Sequence, residues 1–206
     1  RFWGTRGSIP TPGHMTKNKN YSTVAAAVLN AVLRDPKYEH VNYYIHGYPQ
    51  GPEFKEDNPT PYWRPQKGTS QEMFNKHIHP VYGYLSYDGI RTVLSAADAA
   101  VLLHGSTPPA ASGSARLLAT YGVPSVFSKA EILTDFPEDC ALRAEATDQA
   151  AVTAKLLKLI ESPDIREQLS LAMLDFAKDS AWPLVGKKHL EFYEKVMARK
   201  PQQVVF

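Results

Sequence analysis

The sequence predicts a doubly wound α/β domain: a parallel, Rossmann-like sheet with helices on both faces and a helical C-terminal tail. Three observations carry this reading. Short apolar, β-branched segments alternate with helix-forming segments along much of the chain. The segment AAVLLH, ending at His104, starts with five apolar residues and no alternation, as a strand covered by helices on both sides requires. Strand candidates run into glycine-containing loops ahead of helices, as right-handed β–α–β crossovers do.

The elements follow in order. STVAAAVLNAVLR, Ser22 to Arg34, has a serine available as N-cap and apolar residues on most faces, so it reads as a largely buried helix that Asp35-Pro36 ends. VNYYIHG, Val41 to Gly47, is β-branched and aromatic and closes on glycine, as a strand leading into a loop does. From about residue 48 to 71 the chain becomes Pro-rich, with Tyr62 and Trp63 among the prolines, and reads as an irregular insertion. HIHPVYGYLS is the next strand candidate and YDGIRTVLSAAD the next helix, with Ile90, Val93, Leu94 and Ala97 on one face. AAVLLH is followed by the loop GSTPPAASGS and a helix ending near Tyr121-Gly122. VPSVF, Val123 to Phe127, and CALRA, Cys140 to Ala144, are the last strand candidates. Three amphipathic segments beginning at Asp148, Asp164 and Leu184 form the helical tail.

At 206 residues the chain suits a single α/β domain, 1–206, carrying the insertion. With 23 Lys and Arg against 21 Asp and Glu, bulk charge does not direct it to nucleic acid or anionic membrane. The single cysteine, Cys140, permits no internal disulfide and fits a reducing, cytoplasmic setting. Its apolar stretches fall well short of the roughly 20 residues a transmembrane helix needs. Because the chain starts at Arg1 rather than methionine, it reads as an excised domain with further sequence before it.

Ligands of open parallel sheets sit beyond the carboxyl ends of the strands, which selects three loops. The first, GHMTKNKN from Gly13 to Asn20, sets Lys17 and Lys19 before a helix N-terminus, where a lysine meets phosphate oxygens; it reads equally as a solvated polar loop. The second group is the turn Tyr82-Gly83-Tyr84-Leu85, suited to a nucleobase edge or to an ordinary turn, together with His104, a general acid, a ligand contact or a structural histidine. In the third, Ser112, Gly113 and Ser114 open a helix after a strand, so amides, hydroxyls and helix dipole converge on a place for a diphosphate. Ordinary N-capping accounts for the same serine.

In order and spacing, GHMTKNKN, YYIHG, VYGYLSYDGI, SAADAAVLLH, YGVPSVFS and LLKLIESPDIREQL resemble the donor-binding C-terminal half of GT-B glycosyltransferases of the retaining, glycogen-synthase-like group. The resemblance runs from Gly13 to Met197. It implies a nucleoside diphosphate sugar as substrate, no further cofactor and no metal, and an N-terminal acceptor domain absent from this chain. It implies that Lys19 contacts the donor diphosphate and stabilises its departure, that Gly13, His14, Ser112, Gly113 and Ser114 complete the phosphate site, that Tyr82 to Leu85 lie near the base, and that His104 is positioned to contact the sugar. His14 stands where the family usually has arginine, and Pro109 and Leu117 stand where it often has two glutamates. A non-catalytic nucleotide-binding or scaffold module of the same fold is therefore the alternative. A second, local resemblance links RFWGTRGSIPTPG, Arg1 to Gly13, to the opening of metallo-β-lactamase-fold hydrolases. That family's HxHxDH cluster is represented only by His77 and His79, with no Asp-His after them.

Overall fold

The computed structural model describes residues 7–48, 69–106 and 110–198. The Pro-rich insertion with Tyr62 and Trp63, the first six residues of the chain and Pro109 lie outside them. Six strands pair in parallel to form two three-stranded sheets. In the first, β1 (Ser8–Pro12), β2 (Asn42–Gly47) and β3 (Ile78–Tyr82) run in the order β1-β2-β3. The second holds β4 (Ala100–Leu102), β5 (Ser125–Ser128) and β6 (Ala141–Ala144) in that order.

The division between the sheets follows from the sequence of β1, SIPTP. Alternate residues of a strand turn their amides to opposite sides, and β1 is in register with β2 from Ser8↔Asn42 to Pro12↔His46. On the side away from β2, Ser8 donates to Asp98 Oδ2 at 2.9 Å and its carbonyl accepts from Asp98 N at 3.0 Å. The next two amides on that side would belong to Pro10 and Pro12, and proline has none, so the ladder toward β4 stops after Ser8. A buried side chain joins the edges instead: Thr11 Oγ1 donates to Val101 O at 2.5 Å and accepts from the Tyr43 hydroxyl at 3.1 Å. With β1 beside β4, the strands run β3-β2-β1-β4-β5-β6, the order of the doubly wound dinucleotide-binding fold.

Helices cover both faces. α1 (Tyr21–Arg34) and α5 (Gln149–Glu161) pack against each other over one side, in a cluster with Ile9, Tyr43, Ile45, Val101 and Val126. Leu94 of α3 (Tyr87–Ala96), Leu118 of α4 (Gly113–Thr120) and Met173 of α6 (Pro163–Asp179) join Ala100, Leu102 and Phe127 on the other. Successive residues of β4 thus enter opposite cores, which explains its lack of alternation. The last helix, α7 (Trp182–Ala198), buries none of its side chains and leaves Trp182, Leu190, Phe192 and Met197 exposed.

Several boundaries differ from expectation. Ser22 does not cap α1: a 3₁₀ turn, Lys17–Lys19, runs directly into the helix through Asn20, which adopts the left-handed conformation at φ 48°. Asparagine tolerates that conformation. The Asn20 side chain then reaches Leu103 O at 3.0 Å rather than capping the helix. α2 (Gln71–His77) was not expected; it is capped by Ser70 and passes into β3 without a loop, and seven residues offer little periodicity to detect. β3 stops at Tyr82 because Gly83 turns with φ 117°, so the strand does not continue to Ser86. The opening segment that resembles a metallo-β-lactamase strand is, from Ser8 to Pro12, a central strand of the doubly wound arrangement.

Thr11→Val keeps the shape of the junction but strands the Tyr43 hydroxyl and the Val101 carbonyl in a buried setting. The expected loss is about 1–3 kcal/mol in urea unfolding at neutral pH. A variant with wild-type stability would remove Thr11 from this role.

Candidate functional site

The site is assembled at the carboxyl edge of β1 and β4, where the strand order reverses. Backbone contacts stitch the loops together: Gly105 N donates to Asn18 O at 2.6 Å, Met15 N to Tyr48 O at 3.0 Å and Gly83 N to Gly47 O at 3.0 Å. The Tyr21 hydroxyl donates to His14 O at 3.0 Å. Gly47 has no room for a side chain, since a Cβ there would overlap the Gly13 carbonyl oxygen.

Lys19 lies at the centre. Only 6% of it is exposed, and its ammonium donates to Pro12 O at 3.3 Å and Ser114 Oγ at 3.4 Å. Both partners are neutral oxygens, and burial pushes its pKa down from 10.5 to about 8. Pro12 O belongs to the β1 edge that makes no ladder to β4, so the carbonyl is available to the lysine. Gly13, at φ 102°, makes the convergence possible: a Cβ would overlap Ser114 Oγ and lie 2.9 Å from Lys19 Nζ.

The N-terminus of α4 faces the same space. Ser112 Oγ accepts from Ala115 N at 3.2 Å and Ser112 O accepts from Arg116 N at 3.1 Å. These bonds account for two first-turn amides; those of Gly113 and Ser114 have no partner among the described residues. His104 Nε2 lies 3.3 Å from Ser112 Oγ, and its ring is held neutral, with a pKa pushed down to about 4 by burial and then by the Lys19 charge. Among the described residues, the Nδ1 atoms of His104 and His46 are buried without a partner.

The structure thus brings Gly13, Lys19, His104, Ser112, Gly113 and Ser114 together. His14 is exposed and turns its ring toward Tyr84, edge to face at 5.7 Å; Tyr84 in turn stacks on Tyr48 at 5.7 Å. The Tyr82 to Leu85 turn therefore borders the site through this aromatic group. Tyr48 and Asn20 were missed by sequence reasoning. The one available signal was Asn20 itself, a residue tolerant of left-handed geometry placed directly before a helix. Leu117 is half-buried against the second core cluster. His77 Nδ1 contacts Val41 O at 2.9 Å and His79 Nε2 contacts Asn42 Oδ1 at 2.8 Å, toward the opposite edge of the sheet. No group of three or more metal-binding side chains occurs among the described residues. A groove of about 880 Å³ between α4, α6 and α7 contains none of the candidate site residues.

Fold and site together define a doubly wound α/β domain with a buried lysine and a serine-capped helix N-terminus at its strand-order reversal. That architecture is the fold of GT-B glycosyltransferase C-terminal domains. The C-terminal domain of a group 1 family glycosyl transferase, LpcC, from Francisella tularensis matches with a TM-score of 0.67 at 14% identity, over 83% of this chain and 84% of that one. Sucrose-phosphate synthase from Thermosynechococcus elongatus matches with a TM-score of 0.71 at 16% identity, over 95% of this chain and 47% of that one. WaaG, a glycosyltransferase involved in lipopolysaccharide biosynthesis, matches at 0.64 and 15%, over 84% and 43%. The chain thus spans under half the length of the latter two and most of an isolated C-terminal domain. No protein-family model and no curated protein matches the sequence. At these identities the likeness is one of fold. Among the described residues, no helix is long and apolar enough to cross a membrane.

The buried lysine has a measurable signature. Its pKa is about 8 in the fold against 10.5 when solvated, so between those values the unfolded chain binds the extra proton. Stability contributed by this group therefore rises as pH increases from about 8 to 10.5. Chemical unfolding across that window should show a steeper rise for the wild type than for Lys19→Met. Identical pH dependence would show that the ammonium is not desolvated.

Proposed function

We propose that the chain is the donor-binding half of a glycosyltransferase, which binds a nucleoside diphosphate sugar and positions it for transfer to an acceptor held by another domain. One observation carries this reading: among the described residues, the nearly fully buried ammonium of Lys19 contacts only neutral oxygens and sits next to a helix N-terminus where the amides of Gly113 and Ser114 have no partner. A diphosphate supplies the negative charge that both features lack. Orientation of the donor and stabilisation of the departing diphosphate by Lys19, Ser114 and the α4 amides are then the chain's contribution to catalysis. His14 and the Tyr48–Tyr84 pair border the base end of the donor.

That WaaG is a glycosyltransferase supports the same reading, as does the coverage of under half of it and of sucrose-phosphate synthase. An acceptor-bearing domain completes the enzyme, and the uncovered apolar face of α7 is a surface for it to cover. A cytoplasmic setting belongs to this reading too, with Cys140 a buried free thiol. Leu117 favours one second reading: it lies half-buried against the core where the resemblance expects a glutamate, so a nucleotide-binding module without turnover has a specific basis.

A thermal-shift panel of UDP, GDP and ADP, their sugar conjugates and CMP, with and without divalent metal, tests the proposal. At least one nucleoside diphosphate should stabilise the fold, and Lys19→Ala should weaken that ligand by roughly 10- to 100-fold, the loss of a charge-assisted hydrogen bond worth about 1.5–3 kcal/mol. Affinity should fall as pH rises past about 8, because the free lysine must then take up a proton to bind the anion. Stabilisation by zinc or manganese alone would overturn the reading in favour of a metal-dependent hydrolase, and no response to any nucleotide would overturn it in favour of a scaffold. Release of sugar from the bound donor separates an active transferase half from a module without turnover.

A further inference from the structure

We propose that His104 is a positioning residue that sets the phosphate-receiving end of α4 through Ser112, rather than a group that touches the sugar. The inference rests on the nucleotide-binding reading and assigns within it the residue that holds the site's shape. His104 is 7% exposed and follows β4, so the rigid, doubly covered strand fixes where its ring lies. Its Nε2 is 3.3 Å from Ser112 Oγ, the same oxygen that accepts from Ala115 N at 3.2 Å. The hydroxyl is thus held from two sides, by the imidazole behind it and by the amide it caps.

Two consequences follow for the anion site. With Ser112 Oγ held on Ala115 N, the cap does not swing toward Gly113 N or Ser114 N, and those two amides stay available. With the imidazole neutral, the contact to Ser112 adds no second positive charge beside Lys19; a charged ring there would face an ammonium that is itself buried. Among the described residues no carboxylate enters the arrangement: Lys19 contacts Pro12 O and Ser114 Oγ, and His104 contacts Ser112 Oγ. His104 and Lys19 thus flank α4's first turn, one on each of its two serines.

Gln is the conservative replacement, because its side-chain nitrogen lies as far from the backbone as Nε2 and donates to Ser112 Oγ; Ala removes the contact. The experiment titrates the 206-residue chain and its His104→Ala, His104→Gln, Ser112→Ala and His104→Ala/Ser112→Ala variants with UDP, GDP and ADP and with UDP-glucose, GDP-mannose and ADP-glucose. In parallel, the Ala115 amide is followed by NMR. His104→Ala should weaken the binding diphosphate and its sugar conjugate by the same factor, about 5- to 20-fold, and shift the Ala115 resonance. His104→Gln should restore both, and His104→Ala should have no further effect once Ser112 is alanine. Selective loss of the sugar conjugate, with the diphosphate unaffected, would overturn the proposal in favour of a direct sugar contact. Additive losses in the double variant would overturn it as well. If the wild type binds no nucleotide, the nucleotide reading fails by itself; the His104–Ser112 coupling then stands or falls on whether the Ala115 resonance moves in His104→Ala and returns in His104→Gln.

Discussion

The rest of this structure depends on the seam between β1 and β4. A six-stranded parallel sheet would ordinarily be laced by amides on both sides of each strand, but Pro10 and Pro12 remove those that β1 would turn toward β4. What remains is Ser8 at one end and Thr11 in the middle, the latter bound to Val101 O and Tyr43. The seam costs ladder hydrogen bonds and yields a free carbonyl at its carboxyl end. Pro12 O is the oxygen that holds Lys19. The interruption in the sheet and the placement of its buried cation thus share one cause.

From that point the site follows by close approach. Gly13 lets Lys19 and Ser114 converge, and Gly47 clears the space in which the Gly13 carbonyl lies. Asn20, in left-handed geometry, turns the chain from the 3₁₀ turn straight into α1 while its amide fastens the loop to the end of β4. Parts contributed by residues 95 positions apart, Lys19 and Ser114, then meet in one small volume. Among the described residues no carboxylate contacts the ammonium, and desolvating it without one is unfavourable for the free protein; in the proposed reading a bound anion offsets that cost.

The helices divide the labour. α1 and α5 close one face with alanine and branched residues, and α3, α4 and α6 close the other, so both sides of β4 and β5 are sealed and the carboxyl edge is the open one. α7 stands apart: none of its side chains is fully buried and most of its apolar ones are exposed. A 17-residue helix of that kind draws its stability from whatever it packs against rather than from propensity alone.

The sequence by itself determined the alternation of strands and helices, the doubly covered β4 and the lysine and serine loops of the site, because hydrophobic periodicity, glycine and capping residues are local signals. It also carried the order of motifs that resembles a GT-B donor half, and the fold agrees. Tertiary structure alone decided that the proline-bearing β1 lies beside β4, so that the sheet breaks there, that Asn20 rather than Ser22 starts α1, that α2 exists, and that His14 turns to Tyr84 while His104 turns to Ser112. Each of these depends on a partner distant in the chain: an edge that lacks amides, a carbonyl at Leu103, a strand that begins where a short helix ends, a ring or hydroxyl on another loop. Periodicity reports which face of an element is buried, and it carries no information about which neighbour lies there. The candidate site lies between the two kinds of knowledge: its residue types are legible in Lys19, Ser112 and Ser114, whereas the lack of a carboxylate beside the ammonium among the described residues is a property of the folded chain.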